Sequence, residues 1–286
     1  MKKKILILGS NGLIGGTFFN FFKKKNLLVY PALRFRWKRK IKFKNAIFYP
    51  SLEDLDGFKC IEKIIYKLNP DCVINCTGIT KHHKNQSKMV QLNILFPKFL
   101  AKLQNKKKFT YIHLSTDCIF SGNKGNYKEN SFADAKDNYG QTKSKIEKIL
   151  VKNKSAIILR TSTIGHEMNS SKGLLNWFLN KKRYVHGFSN AFFSGPTTLE
   201  LAKIIYKYII KKKYLKNDIY NISSFKISKY DLLMLIKKIY KKKINIIPYP
   251  EVKIDRSLSN KKFVNLTHYK SSSWDKMINY TKKFHE

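Results

Sequence analysis

Acidic residues are scarce in this chain: 18 Asp and Glu stand against 58 Lys and Arg in 286 residues, a formal net charge of +40. Arginine is scarce too, at positions 34, 36, 39, 160, 183 and 256 only, so the excess is almost all lysine. Proteins that read nucleic-acid sequence lean on arginine and on recognisable docking motifs. No helix-turn-helix, zinc-finger or aromatic RNA-binding pattern is present, and the lysines fall in short runs such as 23–25, 106–108, 211–213 and 241–243. Lysines at helix ends complement the helix dipole and keep the surface solvated. Specific nucleic-acid binding is therefore not expected, while a weak association with anionic membrane surfaces stays open.

Long apolar runs are also missing, and none approaches the ~18 residues of a membrane span. Met1-Lys2-Lys3-Lys4 before an apolar stretch imitates a secretory leader, but Gly9-Ser10-Asn11 cuts the stretch short and no small-residue cleavage site follows. Cysteines occur only at 60, 72, 76 and 118, without a Cys-x-x-Cys pair. Those at 72, 76 and 118 lie in apolar segments where a reduced thiol packs as a small hydrophobe. The expectation is a cytoplasmic protein. His82-His83 lack a second ligand pair at metal spacing, so no metal site is expected, and the two side chains either rim a pocket or face solvent.

What the chain does have begins at its N-terminus. Lys4-Ile5-Leu6-Ile7-Leu8 reads as a strand, Gly9-Ser10-Asn11-Gly12-Leu13-Ile14-Gly15-Gly16 as a glycine turn, and Thr17 to Phe22 as an amphipathic helix. Glycines at 9, 12 and 15 permit a tight turn, close backbone approach to a pyrophosphate and close helix–sheet packing, and a helix N-terminus offers N–H groups to an anion. Apolar segments near 4–8, 27–30, 46–49, 71–76, 109–115 and 156–161 alternate with helical patterns near 13–24, 58–68, 86–104 and 136–151. That rhythm predicts an α/β fold with a doubly wound parallel sheet. After Arg160 it loosens: 165–173 is irregular, helices are expected near 173–181, 197–212, 228–241 and 273–284, and a strand near 219–223. A dinucleotide-binding domain over 1–162, completed by segments near 190–223, and a smaller C-terminal α/β substrate-binding lobe, mainly 163–286, follow from this pattern.

Tyr139-Gly140-Gln141-Thr142-Lys143 places a phenol and an ammonium four residues apart on one helix face. A phenol titrates near ~10, and a cation beside it favours its anion, which makes it a usable proton donor at neutral pH. Upstream, Tyr111 to Asp117 reads as a buried strand ending in hydroxyls, where an open α/β sheet presents groups to its ligand. Thr116 is then placed to hydrogen-bond the same carbonyl oxygen that Tyr139 protonates. The end of the second strand, Val29 to Lys38, contains no acid for a ribose diol, while Arg34 and Arg36 suit a 2′-phosphate. NADP is favoured and NAD stays open. The loop Gly122–Asn138 is long enough to have a functional role.

The glycine loop, Asn75-Cys76-Thr77-Gly78, Ser115-Thr116-Asp117-Cys118-Ile119-Phe120-Ser121-Gly122, Tyr139-Gly140-Gln141-Thr142-Lys143, Leu159-Arg160-Thr161-Ser162 and Gly195-Pro196-Thr197-Thr198 together resemble the extended short-chain dehydrogenase/reductases, specifically the dTDP-4-dehydrorhamnose reductase family. The resemblance implies a Rossmann-type domain and NAD(P)H-dependent reduction of a 4-keto-6-deoxy sugar nucleotide in deoxysugar or surface-polysaccharide biosynthesis. It implies Thr116 as the hydroxyl orienting the keto oxygen, Tyr139 as proton donor, and Lys143 as the group that acidifies the tyrosine and holds the nicotinamide ribose. Asn93 falls where the superfamily supports that lysine. Asn75, Cys76, Thr77 and Gly78 would line the cofactor, and Thr80 the sugar. Asp117 would bond a sugar hydroxyl or serve as a cap. Arg256, in Asp255-Arg256-Ser257, would meet the substrate diphosphate or pair with Asp255. Two departures stand out: Cys118 and Thr163 occupy positions where the rhamnose enzyme carries a tyrosine and a tryptophan on the sugar, which points equally to another keto-sugar nucleotide. A homodimer, an epimerase or dehydratase of the same superfamily, and a non-catalytic dinucleotide-binding subunit remain compatible.

Overall fold

The structure, a computed structural model, describes residues 1–35, 43–80, 85–167 and 173–286. In β1 (Lys3–Leu8), Ile5 and Ile7 face one apolar layer and Leu6 and Leu8 the other, all at 0% exposure. A strand apolar on both sides needs cover on both. One cover is α1 (Leu13–Phe22), whose Phe18 and Phe22 are fully buried against Ile5 and Ile7. Each such phenylalanine stabilises the fold by about 1.5–3 kcal/mol. The chain continues through β2 (Leu27–Arg34), β3 (Ile47–Tyr49), α2 (Leu55–Leu68) and β4 (Cys72–Asn75) to α3 (Gln86–Val90), α4 (Phe96–Lys107) and β5 (Thr110–Ser115). Then follow α5 (Asn138–Lys152), β6 (Ile157–Arg160), α6 (Leu174–Leu179), β7 (Tyr184–Phe188), β8 (Ala191–Phe193), α7 (Thr198–Ile204) and β9 (Ile219–Asn221).

Among the described residues the main sheet has the order β3-β2-β1-β4-β5-β6-β9, parallel throughout. Helices α2, α4 and α5 bury Phe58, Phe96, Leu100, Ile146 and Leu150 on the Leu6/Leu8 face, while α1 and α7 cover the opposite one. The order reverses direction between β1 and β4, so a crevice opens there at the carboxyl ends of the strands. β9 extends the sheet past β6 although it lies nearly sixty residues later, so the C-terminal half of the chain returns to complete it.

The expected helix over 86–104 is interrupted. α3 passes through a π-helical turn at Gln91–Leu95 into α4, which has Pro97 in its first turn. Proline donates no backbone hydrogen bond and crowds the preceding turn, which favours a widened register there. A second π-helical turn, Ile205–Lys211, follows α7 and contains no proline.

The remaining elements are β10 (Ile227–Ser228), α8 (Lys229–Ile239), β11 (Asn245–Tyr249), β12 (Ile254–Asp255), α9 (Lys261–Thr267) and α10 (Trp274–His285). Strands β10, β8 and β12 form one small sheet, β11 and β7 another. They enclose a separate apolar cluster with Leu175, Phe178, Leu232, Ile236, Trp274 and Met277. Sequence patterning had not pointed to β7, β8, β10, β11, β12 or α9. No helix among the described residues is long and apolar enough to cross a membrane.

Candidate active site

The glycine loop closes through backbone contacts that exclude side chains. Gly9 has φ +78°, and a Cβ on Gly15 would sit 2.4 Å from the Gly9 carbonyl oxygen. Gly12 N–H donates to Gly9 O at 3.1 Å, Ser10 Oγ donates to Ile7 O at 2.7 Å, and no side chain caps α1 at Gly12. First-turn N–H groups are thereby left for an anion. Beside the loop lies a cavity of about 470 Å³ lined by Gly9, Asn11, Gly12, Arg34, Cys76, Thr77, Gly78 and Thr80. Leu13 and Ile14 continue the loop into α1, half-buried. The missing side chains at Gly9 and Gly15 let the loop pack directly on the backbone at Cys76 and on the start of α1, a local shape suited to a dinucleotide.

Other walls of the cavity were not foreseen: Tyr49, Ser51, Leu52, Glu53, Ile79, Lys88 and Leu92. For Tyr49, Ser51, Leu52 and Glu53 the signal that would have found them is topological, since β3 and the loop after it end at the same edge as the glycine turn. Arg34 lies near the Tyr49 phenol, which burial pushes up to about 12 against the opposing pull of the guanidinium. Glu53 brings an acid to the cavity, paired with Lys88 at 2.6 Å. Arg36, Lys38, His82 and His83 lie outside the described residues.

Across the switch point, β5 ends at Ser115, and Thr116, the next residue, caps a single 3-10 turn, Asp117–Ile119, by accepting from Cys118 N–H at 3.1 Å. The Thr116 hydroxyl also donates to Asp117 Oδ1 at 3.3 Å. Asp137 caps α5 by accepting from Gly140 N–H at 2.8 Å, and a Cβ on Gly140 would lie 2.3 Å from Cys118 O. The missing side chain is what lets α5 press against the Cys118 turn and bring Tyr139 to Thr116. The two hydroxyls interact: burial pushes the Tyr139 phenol up, the Cys118 thiol adds to this, and the Thr116 hydrogen bond pulls it back.

Lys143, 5% exposed, does not reach toward the phenol. Its Nζ donates to Leu114 O and lies 3.3 Å from His113 Nε2. Burial brings its pKa down to about 8, with the Glu147 carboxylate one turn on pulling it up. Glu147 in turn takes Arg160 in a bidentate pair at 2.8 and 3.2 Å. Arg160 also donates to Glu129 O and Asn221 Oδ1, both at 3.3 Å, and its guanidinium lies 5.1 Å over the Phe120 ring. These contacts, with Asn221 Nδ2 donating to Tyr127 O at 2.8 Å, pin the long 122–138 loop beside the site.

Several expected ligand contacts have other occupations here. Asn75, 1% exposed, accepts from Thr77 N–H at 3.0 Å and from the Thr77 hydroxyl at 2.6 Å, shaping the loop after β4 rather than lining the cavity. Asn93, in the π-helical turn, clamps Ile79 by both its N–H and its carbonyl at 2.9 Å and touches the Thr142 hydroxyl at 3.4 Å. Asp117 is 4% exposed and belongs to the turn. Arg256 donates from Nε to Phe120 O at 2.9 Å and from Nη1 to Cys118 Sγ at 3.7 Å, so the small lobe bears on the Thr116 turn through it. Asp255 is paired with Lys226 at 3.0 Å and takes the Ser257 N–H at 2.9 Å. Thr163 follows β6, half-buried.

A family model described as RmlD substrate binding domain matches residues 2–277. A dTDP-4-dehydrorhamnose reductase from Salmonella typhimurium is 31% identical over 156 residues, 52% of this chain and 51% of that protein. Methionine adenosyltransferase 2 subunit beta from Bos taurus is 25% identical over 173 residues, 58% of this chain and 48% of that one. The chain thus spans about half the length of the curated relatives it matches. Among solved structures, a Bacillus anthracis dTDP-4-dehydrorhamnose reductase in complex with NADP superposes with a TM-score of 0.80 at 16% identity, covering 99% of this chain and 98% of that one. A Bacillus anthracis dTDP-glucose 4,6-dehydratase in complex with NAD reaches 0.77 at 15% identity, covering 99% and 96%. These likenesses are of fold.

Proposed function

The chain belongs to the RmlD substrate-binding family, and from that premise we propose that it is an NAD(P)H-dependent reductase of 4-keto-6-deoxy sugar nucleotides. The observation that carries the reading is the Thr116–Tyr139 hydroxyl pair, set across the switch point from the glycine loop and the uncapped N-terminus of α1. The family match and the names of the reductase relatives support it.

When bound, a nicotinamide cofactor supplies the hydride that reduces the carbonyl carbon. Gly9, Asn11, Gly12 and the open end of α1 would hold its pyrophosphate, with Arg34 at the adenosine-ribose end favouring a 2′-phosphate. Thr116 orients the keto oxygen and Tyr139 gives it a proton, so that no full negative charge develops there. Burial, with the Cys118 thiol adding to it, makes the Tyr139 phenol a reluctant acid in the free protein, and the Thr116 hydrogen bond pulls the other way. Lys143, with a pKa of about 8, remains largely protonated at pH 7 against Leu114 O and His113. Cys118 and Thr163 leave more room for the sugar than aromatic residues would, so an N-acetylated 6-deoxyhexose on UDP is as suitable as the rhamnose precursor. The setting is deoxysugar or surface-polysaccharide assembly in the cytoplasm.

The test is reduced-nicotinamide consumption with dTDP-, UDP-, GDP- and CDP-linked 4-keto-6-deoxy sugars. Turnover with one nucleotide class is expected, and Tyr139→Phe is expected to remove it while cofactor binding persists. A fully active Tyr139→Phe protein would end the proton-donor assignment. Binding without consumption would instead favour an epimerase or a non-catalytic subunit. A dehydratase is disfavoured because Thr116 is followed by Asp117-Cys118 rather than an Asp-Glu pair.

A further inference from the structure

Behind the candidate site a row of polar side chains runs along β5, and the reduction described above uses neither of its inner members. Lys143 Nζ is 3.3 Å from His113 Nε2, and on the far side of the ring His113 Nδ1 is 3.3 Å from the Tyr111 hydroxyl. His113 is 1% exposed and Tyr111 0%. We propose that His113 is a positioning residue for Lys143: its neutral imidazole, anchored by Tyr111 at Nδ1, accepts a hydrogen bond at Nε2 that holds the ammonium against β5 beside Leu114 O and keeps it charged at neutral pH. The kinetic consequence rests on the reductase reading, whereas the effect on the ionisation of Lys143 does not.

The chemistry of the donor set supports this. An ammonium has three protons and no acceptor capacity, and each one left unpaired in a dry wall disfavours the charged form. Leu114 O takes one proton and His113 Nε2 a second. A second cation beside Lys143 is unfavourable, and both burial and the lysine hold the imidazole well below its ordinary pKa, so His113 stays neutral and serves as acceptor. With Nε2 accepting, Nδ1 carries the ring proton and donates to the Tyr111 oxygen. The other charged or titratable groups around Lys143 are few. Glu147 and Tyr139 share its helix, Arg160 on β6 is bound to Glu147, and Asp117 and Cys118 come from the turn after β5. The π-helical turn at Gln91–Leu95 carries no ionisable side chain, Lys88 on α3 is paired with Glu53, and Lys98 and Lys102 on α4 are exposed. None of these replaces the acceptor that His113 provides.

The experiment is an NMR titration of the Lys143 side chain in selectively labelled lysine protein, the resonance identified by its loss in Lys143→Met, alongside the pH profile of kcat/KM. His113→Leu removes the acceptor and is expected to lower the Lys143 midpoint by about one pH unit, roughly a tenfold change in its protonation equilibrium. His113→Gln keeps an acceptor near the Nε2 position and is expected to restore most of the shift. Tyr111→Phe frees the ring and is expected to give a smaller shift in the same direction. The alkaline limb of the rate profile should move in step with the midpoint. A folded His113→Leu protein whose Lys143 midpoint stays put or rises overturns the proposal. If His113→Leu does not fold, an unmoved midpoint in Tyr111→Phe overturns it instead. Absence of turnover with every sugar nucleotide would count against the reductase reading alone, because the titration needs no substrate.

Discussion

Removing the Glu147 carboxylate should destabilise the protein through a charge that has nowhere to go. Glu147 and Arg160 have side chains 4% and 3% exposed, and the bidentate pair is the only carboxylate contact of Arg160 among the described residues. Glu147→Leu fills much of the vacated volume, so the cost is chiefly an uncompensated buried guanidinium. Losing one partner of a buried pair costs about 3–5 kcal/mol. The carbonyl groups of Lys128 and Glu129, the Asn221 side chain and the Phe120 ring still face the cation, which argues for the lower end, about 3 kcal/mol. At roughly 2–4 °C per kcal/mol, Tm should fall by on the order of 6–12 °C. Replacing both groups, Glu147→Leu with Arg160→Met, removes the stranded charge and should recover most of the loss, since apolar substitutes for buried ion pairs are often neutral. Urea unfolding and thermal melting of both single variants and the double variant measure this. A single variant that loses less than about 1 kcal/mol, or a double variant at least as unstable as the sum of the singles, would refute the reasoning.

The parts of this protein that could be read from the chain were those encoded within one turn or one strand. Tyr139 and Lys143 are linked by helical spacing, Thr116 by its place at the end of an apolar run, and the glycine loop by strand-turn-helix order, and all these elements are present with bounds close to expectation. What spacing could not give was direction. A long lysine side chain on a helix has several rotamers, and the buried acceptors Leu114 O and His113 outcompete a half-buried phenol for its protons. Asn75 and Asn93 were placed correctly along the chain, yet short polar side chains bond the nearest backbone, which turned both toward loops. The far wall of the cavity, with Ser51 and Glu53, arrives from a connection that carries no motif. Strands β10 and β12 have two residues each, and β11 buries only Ile246 and contains Pro248, so neither length nor periodicity separated them from loop. These pieces are fixed by tertiary packing rather than local pattern.

Other consequences are open to direct measurement. Gly140→Ala places a methyl group 2.3 Å from Cys118 O, so α5 must retreat from the Thr116 turn; kcat should drop by at least tenfold while cofactor binding, measured by fluorescence, changes little, and unchanged kcat would show that this contact does not set the Tyr139 position. Arg34→Ala should weaken NADPH far more than NADH in binding titrations, and equal losses would remove Arg34 from the 2′-phosphate. The pH dependence of stability follows from two opposed groups. Lys143 titrates near 8 in the folded protein against ~10.4 unfolded, so between these values the unfolded chain binds more protons and stability rises with pH. Tyr49 is pushed up to about 12, and Tyr111 is also raised by burial. Against ~10 in the unfolded chain, their stabilisation is complete below that pH and is lost as pH climbs through the folded values. Urea unfolding from pH 7 to 11 should therefore show a shallow rise above about 8 that Lys143→Met flattens, followed by a steeper fall above ~10 that Tyr49→Phe reduces. A fall that begins near pH 8 in the unaltered protein, or one that Tyr49→Phe leaves untouched, would mean that the buried lysine and phenol are not the groups that govern alkaline stability.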